Sequence, residues 1–196
     1  MSVKGRREEY AETTRAAIVA AAVERFAADG FAGTSIDAVA ETARVSKGAV
    51  YHHFTDKARL FEAAFEVMEK RLLARVTLGV AGIQDPWELI AAGVDLFLAE
   101  CCQPDFRRIA LEDAPAALGW ARWKEIEERY FLGLVTAAVD GLAQGGQIDA
   151  GPGDLTARMF LAAMAEAGLV VAGAADPDAE RQQAGALVMR FLRGLR

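Results

Sequence analysis

Residues 46 to 54 read SKGAVYHHF and bring a hydroxyl, an ammonium, a phenol and two imidazoles close together in the chain. Paired histidines admit three chemistries: metal ligation, acid–base catalysis, or a surface that meets phosphate. The spacing argues against metal. Neighbours on a helix point about 100° apart around the axis, so His52 and His53 do not converge as an HExxH pair does. The split expected is His52 toward a partner and His53 partly packed against its own domain.

Two further groups invite chemistry. Cys101 and Cys102 are sequence neighbours, about 3.8 Å apart at Cα. That is shorter than the roughly 4.4 to 6.8 Å of an ordinary disulfide. They are either small apolar residues on a helix or, if exposed, a pair that senses oxidation. Farther along, Trp120, Trp123, Glu127 and Phe131 recur at helical spacing, with Phe97, Cys101 and Phe106 preceding them. An aromatic stripe of this kind is either core or the wall of a ligand pocket. Glu127 among the aromatics, and Glu166, the only charge between Arg158 and Asp176, are its polar candidates; the alternative for both is a solvated rim. A catalytic centre has little to work with. The only two histidines share one short segment, and neither a Gly-rich phosphate loop nor a metal-ligand cluster is evident. No enzyme activity, cofactor or metal is expected.

Composition bounds the elements that must hold these groups. A chain of 196 residues, 53% hydrophobic and 26% charged, suits one large domain or a small one fused to a larger one. The longest Ala/Gly/Val-rich run, AAMAEAGLVVAGAA, carries a glutamate and falls short of the roughly 20 residues of a membrane span. No basic region followed by an apolar core and cleavage site opens the chain, and the unpaired cysteines suit a reducing compartment. The expectation is a cytoplasmic protein without a membrane partner. Residues 1–60 carry a net +1 and residues 61–196 a net −7, within a total of −6. The acidity therefore belongs to the later part and leaves the first segment free to meet nucleic acid.

Strand signals are nearly absent and helical periodicity is pervasive, which predicts an all-α fold of about nine helices. Ile18, Val19, Ala22, Val23 and Phe26 form one stripe, stopped at Asp29-Gly30. Thr34, with Asp37 three residues on, predicts the cap of a short second helix over about 35–43. Ser46 caps a third through about His53, and Asp56 a fourth over about 57–78, some 33 Å long. Asp85-Pro86 and Asp176-Pro177 each mark a helix start. Pro104 and Pro115 bracket a short helix, a long one runs over about 117–143, and two more cover about 154–174 and 178–195. The small residues Ala162, Ala163, Ala165, Ala167, Gly168, Ala172 and Gly173 permit close approach of another helix. The last two helices are expected to pair with their own copies as a four-helix homodimer interface, the alternative being ordinary core.

Two short helices behind a longer support form the plan of a DNA-binding helix-turn-helix. The second would present Ser46, Lys47, Tyr51 and His52 outward, with Gly48 allowing close approach and Val45, Val50 and Phe54 as anchors.

Residues 14–61, through I18, AA, F26, G30 and TS and then IDAVAETARVSKGAVYHHFTDKARLF, resemble the TetR-type (tetracycline-repressor-like) transcriptional regulators. The resemblance implies a three-helix DNA-binding domain over 1–56 and a helical ligand-binding and dimerisation domain over 57–196. It implies that Thr34, Ser46, Lys47, Gly48, Tyr51, His52 and Lys57 meet DNA, with Ser35 and Arg44 completing the candidate set; Lys4, Arg6 and Arg7 either add contacts or belong to a solvated terminus. It also implies a pocket enclosed by the middle helices, with Phe97, Cys101, Phe106, Trp120, Trp123, Glu127, Phe131 and Glu166 as its candidates. The function implied is a repressor that binds a palindromic double-stranded DNA operator and is released by a small-molecule effector. A redox-responsive regulator using Cys101 and Cys102 is the alternative. The family turn usually reads Ala-Gly-Val-Ser, whereas Arg44 stands here in place of the glycine. Either the turn is adjusted, or Arg44 adopts the left-handed conformation at a cost of roughly 1 kcal/mol or more and adds a phosphate contact.

Overall fold

The computed structural model describes the backbone of residues 3–195 and the side chains of residues 9–195; the side chains of Lys4, Arg6 and Arg7 lie outside the described residues. Nine helices and no strands make up the described chain. They are α1 (Val3–Gly33), α2 (Ile36–Thr42), α3 (Lys47–His53), α4 (Lys57–Gly79), α5 (Pro86–Cys101), α6 (Pro104–Phe106, Arg107–Asp113 and Ala114–Leu118 in unbroken succession), α7 (Trp120–Gln144), α8 (Gly153–Gly173) and α9 (Pro177–Arg193).

Most boundaries follow from capping chemistry. Ser46, Asp56, Asp85 and Asp176 each accept a hydrogen bond from the backbone N–H three residues on, and proline opens α5 and α9. At the start of α2 the cap is Ser35, which accepts from the Ala38 N–H, rather than Thr34. Thr34 is buried and donates its hydroxyl to the carbonyls of Gly30 and Arg25, so it closes the end of α1 instead of opening α2.

Three elements depart from the expected pattern. Gly30 does not end α1 but kinks it, with φ 73° and ψ 172°, a region reserved almost wholly for glycine. Pro115 does not close the helix begun at Pro104. A π-helical turn over Arg107–Asp113 carries the chain past it, and the Ala114 N–H reaches back five residues to the Ile109 carbonyl. The change of register falls immediately before the residue that has no N–H to donate. Gly119, at φ 78°, separates α6 from α7, so the long helix begins at Trp120 rather than near 117.

Two hydrophobic cores result. One joins α1–α4 to α6 and the first half of α7 around Phe26, Phe61, Phe65 and Phe106. The other lies among α5, the end of α7, α8 and α9 around Leu98, Leu142 and Val171. The first core runs without a break across the boundary expected at residue 56. Within α8, Ala165, Gly168 and Ala172 face this interior, and a side chain at Gly168 would run into Cys101 and Phe97. Three of the seven small residues of that stripe thus serve packing within the chain. The outward side of α8 and α9 carries Leu155, Met159, Leu169, Val170, Leu187 and Phe191, all exposed. Among the described residues α8 is long and apolar enough to cross a membrane, but 44% of its most apolar stretch is buried in the fold.

Candidate nucleic-acid interface and ligand cavity

The reading surface is built on α3. Val50 and Phe54 are buried beneath it, which turns Lys47, Gly48, Tyr51 and His52 to solvent. Ser46 and Ser35 are exposed but engaged as caps. Lys47 Nζ lies 2.8 Å from Asp37 Oδ2, a hydrogen-bonded pair that raises its pKa and joins α3 to α2 across the turn. Arg44 resolves the turn's ambiguity. It takes φ 57° itself, the only positive φ at a non-glycine among the described residues, and its exposed side chain stands beside the reading helix. The left-handed conformation expected of a glycine at this position is thus kept, with the strain borne by Arg44 itself.

The two histidine rings sit edge to face, 5.3 Å between centroids. His52 is exposed and His53 half-buried, where desolvation, then His52 and Arg15, lower its pKa. No group of three or more His, Cys, Asp or Glu that could hold a metal occurs among the described residues.

Thr34 and Lys57 are turned inward. Lys57 Nζ donates to the carbonyls of Phe31 (2.8 Å) and Thr34 (3.1 Å) and lies over the Phe31 ring. Phe31 lies in the last turn of α1 and Thr34 just past it, where carbonyls run out of helical N–H partners, so Lys57 ties the start of α4 to the helix-turn-helix. In this conformation neither residue presents its polar group to a nucleic acid.

The second site is a cavity enclosed by α4–α9, with an accessible volume of about 110 Å³. Phe97, Phe106, Trp123, Glu127 and Phe131 line it, as the aromatic spacing suggests. Three other candidates do not. Trp120 is 67% exposed at the start of α7, one turn too early to face inward. Cys101 is buried behind the cavity wall, against Gly168. Glu166 points out from α8, among the exposed apolar residues of that face. Burial raises the pKa of both thiols, most strongly at Cys101, while Cys102 donates to the Leu98 carbonyl. Suppressed thiolates make poor oxidation sensors.

The residue missing from the sequence reading is Glu69. It lies on α4 in the same stripe as Phe65, Leu72 and Val76, is 4% exposed, and lines the cavity. Its signal was a carboxylate at spacing i, i+4, i+7, i+11 among apolar residues. Burial, then the nearby Glu127, pushes its pKa up to about 8. Glu127 is also raised by burial, with partial relief from Lys124 Nζ, which donates to Oε2 at 2.9 Å.

The cavity and the reading head share mechanical parts. Besides Glu69, α4 carries Glu62 and Glu66, which hold Arg122, Arg129 and Tyr130 of α7. From α6, whose Ala110 and Leu111 line the cavity, Asp113 Oδ2 accepts the Phe31 N–H at 2.7 Å. The Arg108 guanidinium lies against Gly30.

Comparison with known proteins gives this architecture its place. The model of bacterial regulatory proteins of the tetR family matches residues 18–64, and that of the tetracyclin repressor-like C-terminal domain matches residues 87–195. The chain belongs to the TetR family. It is 26% identical to the transposon Tn10 TetC protein of Escherichia coli over 160 residues, 82% of this chain and 81% of that protein. Over 73 residues it is 37% identical to the E. coli K12 regulator UidR, covering 37% of each. The crystal structure of a TetR-family transcriptional regulator from Pectobacterium atrosepticum superposes with a TM-score of 0.83 at 30% identity, covering 95% of this chain and 96% of that one. RolR, solved with resorcinol, shares the fold at 16% identity and a TM-score of 0.77, over 96% of this chain and 95% of RolR. This TetR-family chain is a DNA-binding transcriptional regulator of the ligand-responsive kind.

Proposed function

We propose that the chain is a cytoplasmic repressor, not an enzyme, that binds a palindromic operator as a homodimer and is released when a small-molecule effector fills the cavity. The observation that carries this reading is that one helix serves both sites. α4 begins at the Lys57 anchor of the helix-turn-helix and contributes Glu69 to the cavity twelve residues later, about 18 Å along the axis. Residues 1–56 would read DNA and residues 57–196 bind the effector and the second protomer. The exposed apolar side of α8 and α9 supports pairing of those helices with their copies as a four-helix interface.

Two reading heads in a dimer must meet successive major grooves, about 34–36 Å apart. An effector that prefers a different head spacing shifts the population away from the operator-binding form, by no more than its preference between the two forms. α4, the Asp113–Phe31 bond and the packing of Arg108 against Gly30 are routes by which the cavity bears on the heads. The interface comprises Lys47, Tyr51 and His52, with Gly48 allowing close approach and Arg44 adding charge; Thr34 and Lys57 position it, and Ser35 and Ser46 cap its helices. Measured operator affinity of Lys47→Ala and Tyr51→Phe dimers tests the assignment. Both are expected to bind more weakly than wild type, and unchanged affinity in both would sink it.

A further inference from the structure

We propose that the cavity receives an apolar amine cation of about one aromatic ring, paired with Glu69 and, beside it, Glu127. The inference rests on the cavity being the effector site and names the chemistry of its occupant. Glu69 is the most deeply buried charged residue among the described side chains, and burial and the neighbouring Glu127 act on its carboxyl with no hydrogen bond and no cation from a described residue to offset them. Buried carboxylates are ordinarily paired, because leaving one alone in apolar surroundings is strongly unfavourable. Among the described residues, the only charged ones lining the cavity are Glu69 and Glu127. Glu127 is already held by Lys124, so Glu69 is the group left for a ligand to satisfy.

The rest of the wall fits the same occupant. Trp123, Phe97 and Phe131 bring aromatic rings to the wall, side chains that can attract a cation and also pack an aromatic ring. Two neighbouring carboxyls with no lining cation among the described residues disfavour an aromatic carboxylate or phosphate, since nothing in the wall would neutralise its buried charge. The accessible volume of about 110 Å³ is of the order of a dry engineered cavity of roughly 150 Å³ that holds benzene. A ring with a short aminoalkyl arm suits it; a multi-ring drug would require the walls to part.

The test uses the full-length protein and four probes of nearly equal shape: benzylamine, benzyl alcohol, toluene and benzoate. Binding is followed by tryptophan fluorescence, since Trp123 lines the cavity, and independently by melting temperature. Benzylamine is expected to bind at least about tenfold more tightly than benzyl alcohol or toluene, a difference of one charged pairing, and benzoate not to bind. Glu69→Gln should remove most of the amine's advantage while leaving benzyl alcohol binding within about twofold. Glu127→Gln, which leaves Glu69 in place, should weaken the amine less. Neutral probes binding as well as benzylamine, or an amine preference that survives in Glu69→Gln, would overturn the proposal while leaving the effector cavity intact. If no probe binds and none shifts the melting temperature, the amine proposal and the reading of the cavity as a ligand site fall together.

Discussion

Glu69 should make the protein less stable as pH rises, and its amide variant should remove that dependence. Its ordinary pKa is 4.5, and burial in the cavity wall, then Glu127, push it up to about 8. Below 4.5 the carboxyl is protonated in both folded and unfolded chains and contributes no difference. Between these values the unfolded chain has released the proton while the folded chain keeps it, so stability falls by about 1.4 kcal/mol per pH unit. Above about 8 the loss is complete, on the order of several kcal/mol, a large share of the roughly 5–15 kcal/mol typical of a domain. Glu69→Gln keeps the shape and a neutral polar head. It should match wild type near pH 4 and exceed it progressively toward pH 8. Urea unfolding of both proteins at a series of pH values, at one protomer concentration because dimerisation contributes, gives the comparison. Taking the difference cancels the titrating groups that are not coupled to Glu69, leaving Glu69 and its neighbour Glu127. A difference that does not change with pH, or a wild type more stable than Glu69→Gln at pH 8, would refute the unpaired buried carboxyl.

Further outcomes follow from the other sites. In salt titrations of operator binding, Lys47→Ala should lower the slope of log affinity against log salt by about two per dimer, one phosphate contact from each head; an unchanged slope would mean that Lys47 stays with Asp37 on DNA. Gly30→Ala should cost roughly 1–3 kcal/mol by chemical denaturation, from the glycine-only conformation at φ 73°, with the collision against Arg108 adding to it. Asp113→Ala, by removing the bond from the Phe31 N–H, should reduce effector-driven operator release by a factor on the order of ten, with effector affinity little changed when measured by titration without DNA. Phe191→Asp, on the exposed side of α9, should yield monomers in sedimentation, because it sets two like charges across a symmetric interface.

How much of this was legible in the sequence depends on whether a residue's role is local. Ser46, Asp56, Asp85 and Asp176 cap the helices they precede because capping involves only the next three residues. The resemblance through the reading helix located its exposed face. Thr34 looked like a cap for the same local reason, but the adjacent Ser35 has the free hydroxyl and Thr34 finds carbonyls nine and four residues back. Lys57 reaches carbonyls more than twenty residues away, a contact that no spacing announces. In the cavity, the aromatic period placed Trp123, Glu127 and Phe131, yet Trp120, the first residue of α7, lies one turn beyond the cavity, exposed and packed on the Trp123 ring. Glu166 and Glu69 are both glutamates in apolar helices; only the packing of α4 against α5, α6 and α7 distinguishes a wall residue from an outward one. The π turn of α6 likewise follows from how Pro115 is accommodated within a packed helix, which spacing alone does not set.

In the proposed dimer α3 reads one half of a symmetric DNA site in each of two protomers. Selecting sequences bound by the purified full-length protein from random double-stranded DNA tests it most directly. The expected product is an inverted repeat whose half-sites lie about one helical turn apart, centre to centre, no longer enriched when Tyr51→Phe and Lys47→Ala are combined. Recovery of unrelated sequences, or of a site without two-fold symmetry, would contradict it.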